Sequence, residues 1–142
     1  MGRHEVTQAQ YMVIMGNNPS FHRYQCPTCG KVIDPLFLKE GAFSNSTKEH
    51  PVEDVTWYQA MEFCKKLGEM EGREYSLPTE AQWEYACRAG TTTSFSFGDD
   101  YRKLGDYAWY DGNSEGTTHP VGQKKPMPGD YMICMEMLQN GV

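Results

Sequence analysis

The sequence of 142 residues is long enough for one domain, and its 39% hydrophobic and 13% aromatic content can form a core without disulfide or metal support. Its net charge of −6, with no basic cluster, excludes nucleic acid as an expected partner, and no apolar run reaches the roughly 20 residues of a membrane span, so we expect no membrane partner. The chain as given shows no signal peptide, and its five cysteines, an odd number, argue against a disulfide framework, so the compartment stays unknown.

Three T-x-x-Q motifs predict the starts of three helices. In each motif the threonine hydroxyl can cap the helix while the glutamine amide accepts a hydrogen bond from the threonine backbone. The pairs are Thr7 with Gln10, Thr56 with Gln59, and Thr79 with Gln82. The first helix is expected to end at Gly16, the second at Gly68 or Gly72, and the third at about Gly90.

The second and third predicted helices carry apolar residues at helical spacing, which predicts that each set faces the core. Those of the second are Trp57, Ala60, Met61, Cys64 and Leu67, and those of the third are Trp83, Ala86 and Cys87. We expect Cys64 and Cys87 to be small buried hydrophobic residues rather than nucleophiles.

After Gly90 the sequence becomes rich in threonine, serine, glycine and aromatic residues, which is typical of short strands and loops joined by turns. Helices followed by irregular chain, without alternation of strands and helices, predict an α+β domain with little regular sheet. Residues 22–50 form a predicted polar insertion between the first two helices.

A single C-x-x-C motif, Cys26 to Cys29, lies in that insertion and could present two thiolates to zinc. It supplies half of a site, and no further ligand stands at a diagnostic spacing. A zinc site, a local disulfide and two plain thiols in a loop all remain open.

The other metal-binding residue types show no diagnostic pattern. The histidines stand at positions 4, 22, 50 and 119, with no local metal-binding spacing, and we expect them in turns or on the surface. The aspartates at positions 99, 100, 106 and 111 lack the calcium-loop pattern, so solvated turns are expected there.

Residues 74–86 read E-Y-S-L-P-T-E-A-Q-W-E-Y-A, which resembles the R-L-P-T-E-A-E-W-E-Y-A motif of the formylglycine-generating enzyme family, also called sulfatase-modifying factors. Shorter stretches resemble other motifs of that family in the same order: H-E-V-T-Q at 4–8, G-N-N-P-S at 16–20, P-V-E-D-V-T-W at 51–57, F-G-D at 97–99 and H-P-V-G at 119–122. Their physical role is structural, in capping and packing. The structural motif residues are Thr7, Gln10, Thr56, Trp57, Gln59, Thr79, Gln82, Trp83 and Glu84.

The resemblance implies a C-type-lectin-like fold with low regular secondary structure. It also implies a parent oxidoreductase that uses oxygen and copper, held by a C-terminal cysteine pair, to convert a cysteine of a sulfatase or sulfatase-like peptide to formylglycine. Calcium is a further implied cofactor of the complete domain. None of the five cysteines here matches that pair, and Trp109 replaces an asparagine that could bind calcium. We therefore predict no catalytic or cofactor-binding residue and an inactive fragment, incomplete at both ends.

The last sixteen residues, 127–142, do not resemble the family sequence. A suitable choice of codons, shifted by one restored base, reads N-A-W-G-L-Y-D-M-H-G-N-V-T-E-W-C, which does resemble it. Methionine has a single codon and occurs four times in this stretch, so the agreement is hard to attribute to chance. We assign residues 1–126 to a partial sulfatase-modifying-factor domain and 127–142 to a frameshifted tail.

Two alternatives remain for the function. The first is a non-catalytic C-type-lectin-like binding module, in which exposed aromatic residues such as Tyr107, Trp109 and Tyr110 would contact a ligand. The second is the scaffold of a sulfoxide-synthase-like non-haem iron enzyme, which would need a cluster of histidines.

Sequencing the DNA around codon 126 tests the assignment of the tail. We expect one missing base, after which the frame continues into the family motif. An uninterrupted frame that encodes residues 127–142 in independent clones would contradict it.

Overall fold

A computed structural model describes residues 4–22, 47–88 and 90–126. Within these ranges the chain forms helices α1 (Gln8–Met15), α2 (Trp57–Glu71), α3 (Glu80–Arg88) and α4 (Leu104–Tyr107), with a 3₁₀ turn at Tyr101–Lys103 directly before α4. The CxxC motif and the tail 127–142 lie outside the described residues, so the predictions made for them stay predictions.

Helix α1 begins and ends where its sequence predicts. The Thr7 hydroxyl accepts a hydrogen bond from the Gln10 backbone N–H at 3.2 Å, and the Gln10 side chain accepts one from the Thr7 N–H at 3.0 Å. Gly16 adopts a left-handed conformation (φ 79°) and donates its N–H to the Met12 carbonyl. A side chain is disfavoured at that φ, which explains why the helix ends at a glycine.

Helix α2 has the same capping box, formed by Thr56 and Gln59, and ends at Gly72, whose φ is 66°. Gly68 lies inside the helix, and a close contact rather than a left-handed backbone explains why this position is a glycine. A Cβ atom there would approach the Arg73 carbonyl oxygen to 2.6 Å, so the returning chain requires the absence of a side chain. Of the two predicted ends of α2, Gly72 is confirmed.

Gln8 is a fully buried polar residue, with 0% of its surface exposed, around which the first third of the domain is organised. Its side-chain Nε2 donates to the His22 carbonyl at 2.9 Å and to the Pro51 carbonyl at 3.4 Å. Its Oε1 accepts from Asn18 Nδ2 at 3.0 Å and from Thr47 Oγ1 at 2.9 Å. One amide therefore joins α1 to the loop after it and to the chain that leads into α2.

The core between α1 and α2 is built on two aromatic rings. Tyr11, which is 2% exposed, stacks on Phe63 with centroids 5.5 Å apart and rings nearly parallel. Burial, together with the nearby Glu62 carboxylate, raises the pKa of Tyr11. Stacked aromatic pairs of this kind contribute about 1 kcal/mol beyond the area they bury.

The buried face of α2 differs from the one that the sequence predicts. Phe63 is its buried residue, whereas Trp57 is 61% and Met61 39% exposed. At about 100° per residue, Met61 lies on the opposite side of the helix from Phe63. Helix α1 covers the Phe63 side, and no other helix of the described ranges packs on α2. The prediction that Trp57 and Met61 face the core is therefore wrong.

Residues 90–126 form less strand than expected and more helix. The described ranges contain two isolated antiparallel bridges, between Thr7 and Pro51 and between Phe95 and Gly98, and no named strand. The 3₁₀ turn and α4 are not anticipated by the sequence patterns. A run of stacked rings, Phe95 on Phe97 and Phe97 on Tyr107, holds this part together at centroid distances of 5.0 and 4.4 Å.

The described part is thus a mixed domain in which helices and irregular chain dominate. Helix α3, although capped by Thr79 and Gln82 as predicted, makes no contact with another helix in the described ranges. None of the described helices combines the length and apolar character that crossing a membrane requires.

Replacing Gln8 tests its structural role. The variant Gln8→Ala leaves two carbonyls, one of them buried, and two donors without their partner, so we expect a loss of about 3 kcal/mol in the free energy of unfolding, measured by urea denaturation. Gln59→Ala, which removes the same side chain from a solvent-facing cap, is the matched control and is expected to cost less than about 1 kcal/mol. Equal effects of the two substitutions would contradict the role given to Gln8.

Candidate functional site

The predicted structural motif residues do not converge on one site. They stand at three separate helix starts, where the threonine and glutamine pairs close the caps. Trp83 is half-buried, and Glu84 forms an ion pair with Arg88 one turn along α3 at 2.9 Å. These residues build helices and leave the chemistry to other side chains.

Three histidines far apart in sequence meet where residues 4–22 and 47–53, which we call the α1 region, contact residues 113–122. We call His22, His50 and His119, with Glu53 and Thr118, the histidine junction. His22 Nδ1 lies 3.2 Å from Glu53 Oε1, and His50 Nδ1 lies 2.9 Å from Thr118 Oγ1. His119 Nε2 lies 3.0 Å from the Ser114 carbonyl. Each of these histidines lies outside the helices, in line with the expectation of turn or surface positions, but the sequence patterns did not predict that they come together.

The half-buried His50 is electrostatically the most constrained of these histidines. Burial disfavours its charged form, and the neighbouring His119 and His22 add to the effect, so its pKa is lowered from the ordinary value, against a hydrogen bond with Thr118 that acts the other way. His50 is consequently neutral near pH 7, where it bridges two segments without carrying charge.

Trp109 lies beside the histidine junction, and its ring contacts two basic side chains. The His119 ring stacks on it at 3.7 Å, and the Lys124 ammonium stands 3.6 Å from its centroid. The same ammonium donates to the Gly105 carbonyl, which fixes the lysine over the ring. The indole N–H is buried and has no hydrogen-bond partner among the described residues. Trp109 is therefore half-buried and packed, whereas Tyr110 is more exposed.

A groove of about 600 Å³ runs between α1 and α2. Its lining is mainly apolar, with polar residues at the edge. The lining residues are His4, Glu5, Val6, Ala9, Gln10, Val13, Ile14, Phe63, Leu67 and Glu71. Such a surface suits apolar contact and offers no nucleophile or metal-ligand set.

The two described cysteines do not form a catalytic pair. Cys64 and Cys87 are half-buried free thiols on different helices, which partly corrects the expectation of full burial. Burial raises the pKa of both thiols, the opposite of what an activated thiolate needs. These donors therefore do not fit the copper that the family resemblance implies.

Three of the four aspartates, at positions 99, 100 and 106, do not fit a calcium ion either, because each already has another partner. Asp99 accepts from the Ser94 N–H, Asp100 from Arg102, and Asp106 from Lys125. These hydrogen bonds lower the pKa of all three carboxyl groups. No group of three metal-binding side chains occurs among residues 4–22, 47–88 and 90–126.

Comparison with protein families decides where the chain belongs. The protein-family model described as "Sulfatase-modifying factor enzyme 1-like domain" matches residues 1–135. The chain belongs to this family. The resemblance found in the sequence motifs is thereby confirmed.

Curated relatives carry two kinds of name. The chain is 26% identical to the "Chaperone protein LppX" of Paenibacillus barcinonensis, over 92% of this chain and 48% of that protein. It is 39% identical to the "Formylglycine-generating enzyme" of Mycobacterium tuberculosis, over 39% of this chain and 17% of that enzyme, and 37% identical to that of Bos taurus, over 42% and 14%. The chain spans about half or less of the relatives it matches.

A solved structure shares the overall fold. The "Treponema denticola variable protein 1" superposes with a TM-score of 0.71 at 28% identity, over 90% of this chain and 55% of that one. Most of the chain therefore follows a fold already seen in another protein.

Cysteine labelling tests the assignment of Cys64 and Cys87. Since only the thiolate reacts and the pKa of both thiols is raised, we expect slow alkylation by iodoacetamide at pH 7, with a rate that rises about tenfold per pH unit up to and beyond pH 8.5. Peptide mapping by mass spectrometry measures each site, and a small free thiol in the same tube is the reference. Faster labelling of either cysteine than of the reference at pH 7 would indicate an activated thiolate and contradict the assignment.

Proposed function

We propose that this chain supplies the scaffold of a formylglycine-generating type domain whose complete form oxidises a sulfatase cysteine to formylglycine. The family match over residues 1–135 carries the proposal. The named function of the Mycobacterium tuberculosis and Bos taurus relatives supports it. In this proposal the described residues hold the fold together and perform no oxidation.

The chemistry of the described side chains supports the division between scaffold and catalysis. An oxygen-dependent thiol oxidation needs a reactive thiolate or a bound redox metal. Cys64 and Cys87 are unpaired, and burial raises their pKa. The family motifs instead have structural roles. They form capping boxes, the contacts of the Gln8 amide and aromatic stacks.

Cofactors and partners are part of the proposal. Copper and calcium would belong to the complete domain, held by residues other than those described, and zinc at Cys26 and Cys29 stays a prediction outside the described ranges. The partner of the intact parent would be a sulfatase-like protein or peptide. We further propose a C-type-lectin-like fold, which the family match and the low strand content support.

A non-catalytic binding module is the second candidate. The observation in its favour is an exposed aromatic pair at the start of α2, where Trp57 and Tyr58 pack edge to face at 5.2 Å and Tyr58 is 79% exposed. Exposed aromatic residues are frequent at the centre of protein interfaces. The fold shared with the Treponema denticola protein is compatible with this candidate. The iron-enzyme alternative has no such support, because the described histidines form no metal-binding group.

A peptide assay tests both candidates together. The purified chain is incubated with a C-x-P-x-R peptide, oxygen and Cu(I), and aldehyde formation is followed by mass spectrometry. A formylglycine-generating enzyme such as that of Mycobacterium tuberculosis serves as the positive control. We expect no aldehyde from this chain, since the described thiols lack activation. Turnover by this chain would overturn the scaffold proposal.

Peptide binding without turnover would favour the binding module. In that case Trp57→Ala should weaken binding at least about tenfold, whereas Tyr101→Ala, which removes another exposed aromatic ring away from α2, should leave it unchanged. Equal loss in both variants would contradict a site at the start of α2.

A further inference from the structure

Residues 113–122 are attached to the α1 region by a small set of bonds, two of which involve histidine rings. The backbone contributes one bond, from the Val121 N–H to the Glu49 carbonyl at 2.9 Å. His50 Nδ1 lies 2.9 Å from Thr118 Oγ1, and His22 Nε2 lies 3.2 Å from the Gly116 carbonyl. Two of these three contacts are therefore made by imidazole rings.

We propose that the histidine junction is an acid-sensitive latch: it holds residues 113–122 against the α1 region at neutral pH and releases them when the medium is acidified to about pH 5. The proposal concerns the described scaffold itself and does not depend on the oxidase activity of a parent protein.

The burial of His50 sets the direction of the effect. With a pKa below the ordinary value in the attached state, His50 binds a proton more readily once the segment detaches and water reaches the ring. The detached state thus takes up more protons than the attached state. Its population rises as pH falls from about 6.5, by up to about tenfold per pH unit for each extra proton bound.

The groups around His50 do not all act in this direction. Both ring nitrogens of His22 face acceptors, Glu53 Oε1 at 3.2 Å and the Gly116 carbonyl at 3.2 Å, so this contact is not loosened by acid and release rests on His50. On the other side, His119 stacks on the Trp109 indole, which the Lys124 ammonium also faces. His4, which is exposed and lies close to Gly122, is not among the groups that shift the pKa of His50.

The ion pair of Asp106 with Lys125, which lies near this segment, does not titrate in the same range. Lys125 Nζ donates to Asp106 Oδ2 at 2.8 Å, and this bond lowers the pKa of Asp106 from a value already near 4. The pair therefore stays charged throughout the range from pH 7.5 to 5. A transition in that range reports on the imidazoles.

Hydrogen exchange with mass spectrometry measures the latch directly. Opening of the peptides that cover residues 113–122 is compared at pH 7.5 and 5.5, after correction for intrinsic exchange rates, and we expect a several-fold increase at pH 5.5, up to about tenfold for one extra proton on His50. His50→Asn keeps a polar group near the Nδ1 position but cannot be protonated, and it should abolish the increase. His4→Asn, the matched control at an exposed histidine, should retain it.

Three results would overturn the latch: no increase in the natural sequence, an equal increase in His50→Asn, or loss of the increase in His4→Asn. Should His50→Asn fail to fold at pH 7.5, NMR titration of the natural sequence decides instead. An imidazole midpoint for His50 below 6.5, coincident with shifts in the amides of residues 113–122, supports the latch. A midpoint at or above 6.5 contradicts it.

Discussion

The buried side-chain amide of Gln8 is the constraint on which the described structure depends. An amide taken out of water is tolerated when its donors and acceptor are matched, and Gln8 has two carbonyls and two donors around it. Each of those partners belongs to a stretch of chain with no regular secondary structure of its own. A specific polar contact therefore does in this domain what a β-sheet ladder does in others, because it fixes irregular segments in one arrangement.

Local sequence signals predicted the local structure well. A capping box involves residues three apart, so Thr7 with Gln10 and Thr56 with Gln59 specify it without help from the rest of the chain. The buried face of α2 could not be read in this way, since it depends on which side α1 covers. Trp57 and Phe63 are both large aromatic residues, and only the tertiary contact with α1 determines that Phe63 is the buried one.

The same limit applies to the candidate site. His22, His50 and His119 show no shared spacing, because they come together through the contact between residues 113–122 and the α1 region. A weak signal existed in that His119 opens the H-P-V-G stretch which resembles a family motif. The motifs that establish the family are themselves caps and packing residues, so they identify the scaffold more securely than they identify any reaction.

The positions of His22 and Thr47 have a consequence for evolution. Both residues bind the same Gln8 side chain, so positions 22 and 47 of the chain are held close together in space. Lengthening a connection whose ends are already held together costs little additional entropy. Related proteins could therefore vary the length and sequence of the intervening residues freely, and a whole foreign domain grafted there should leave the helices in register.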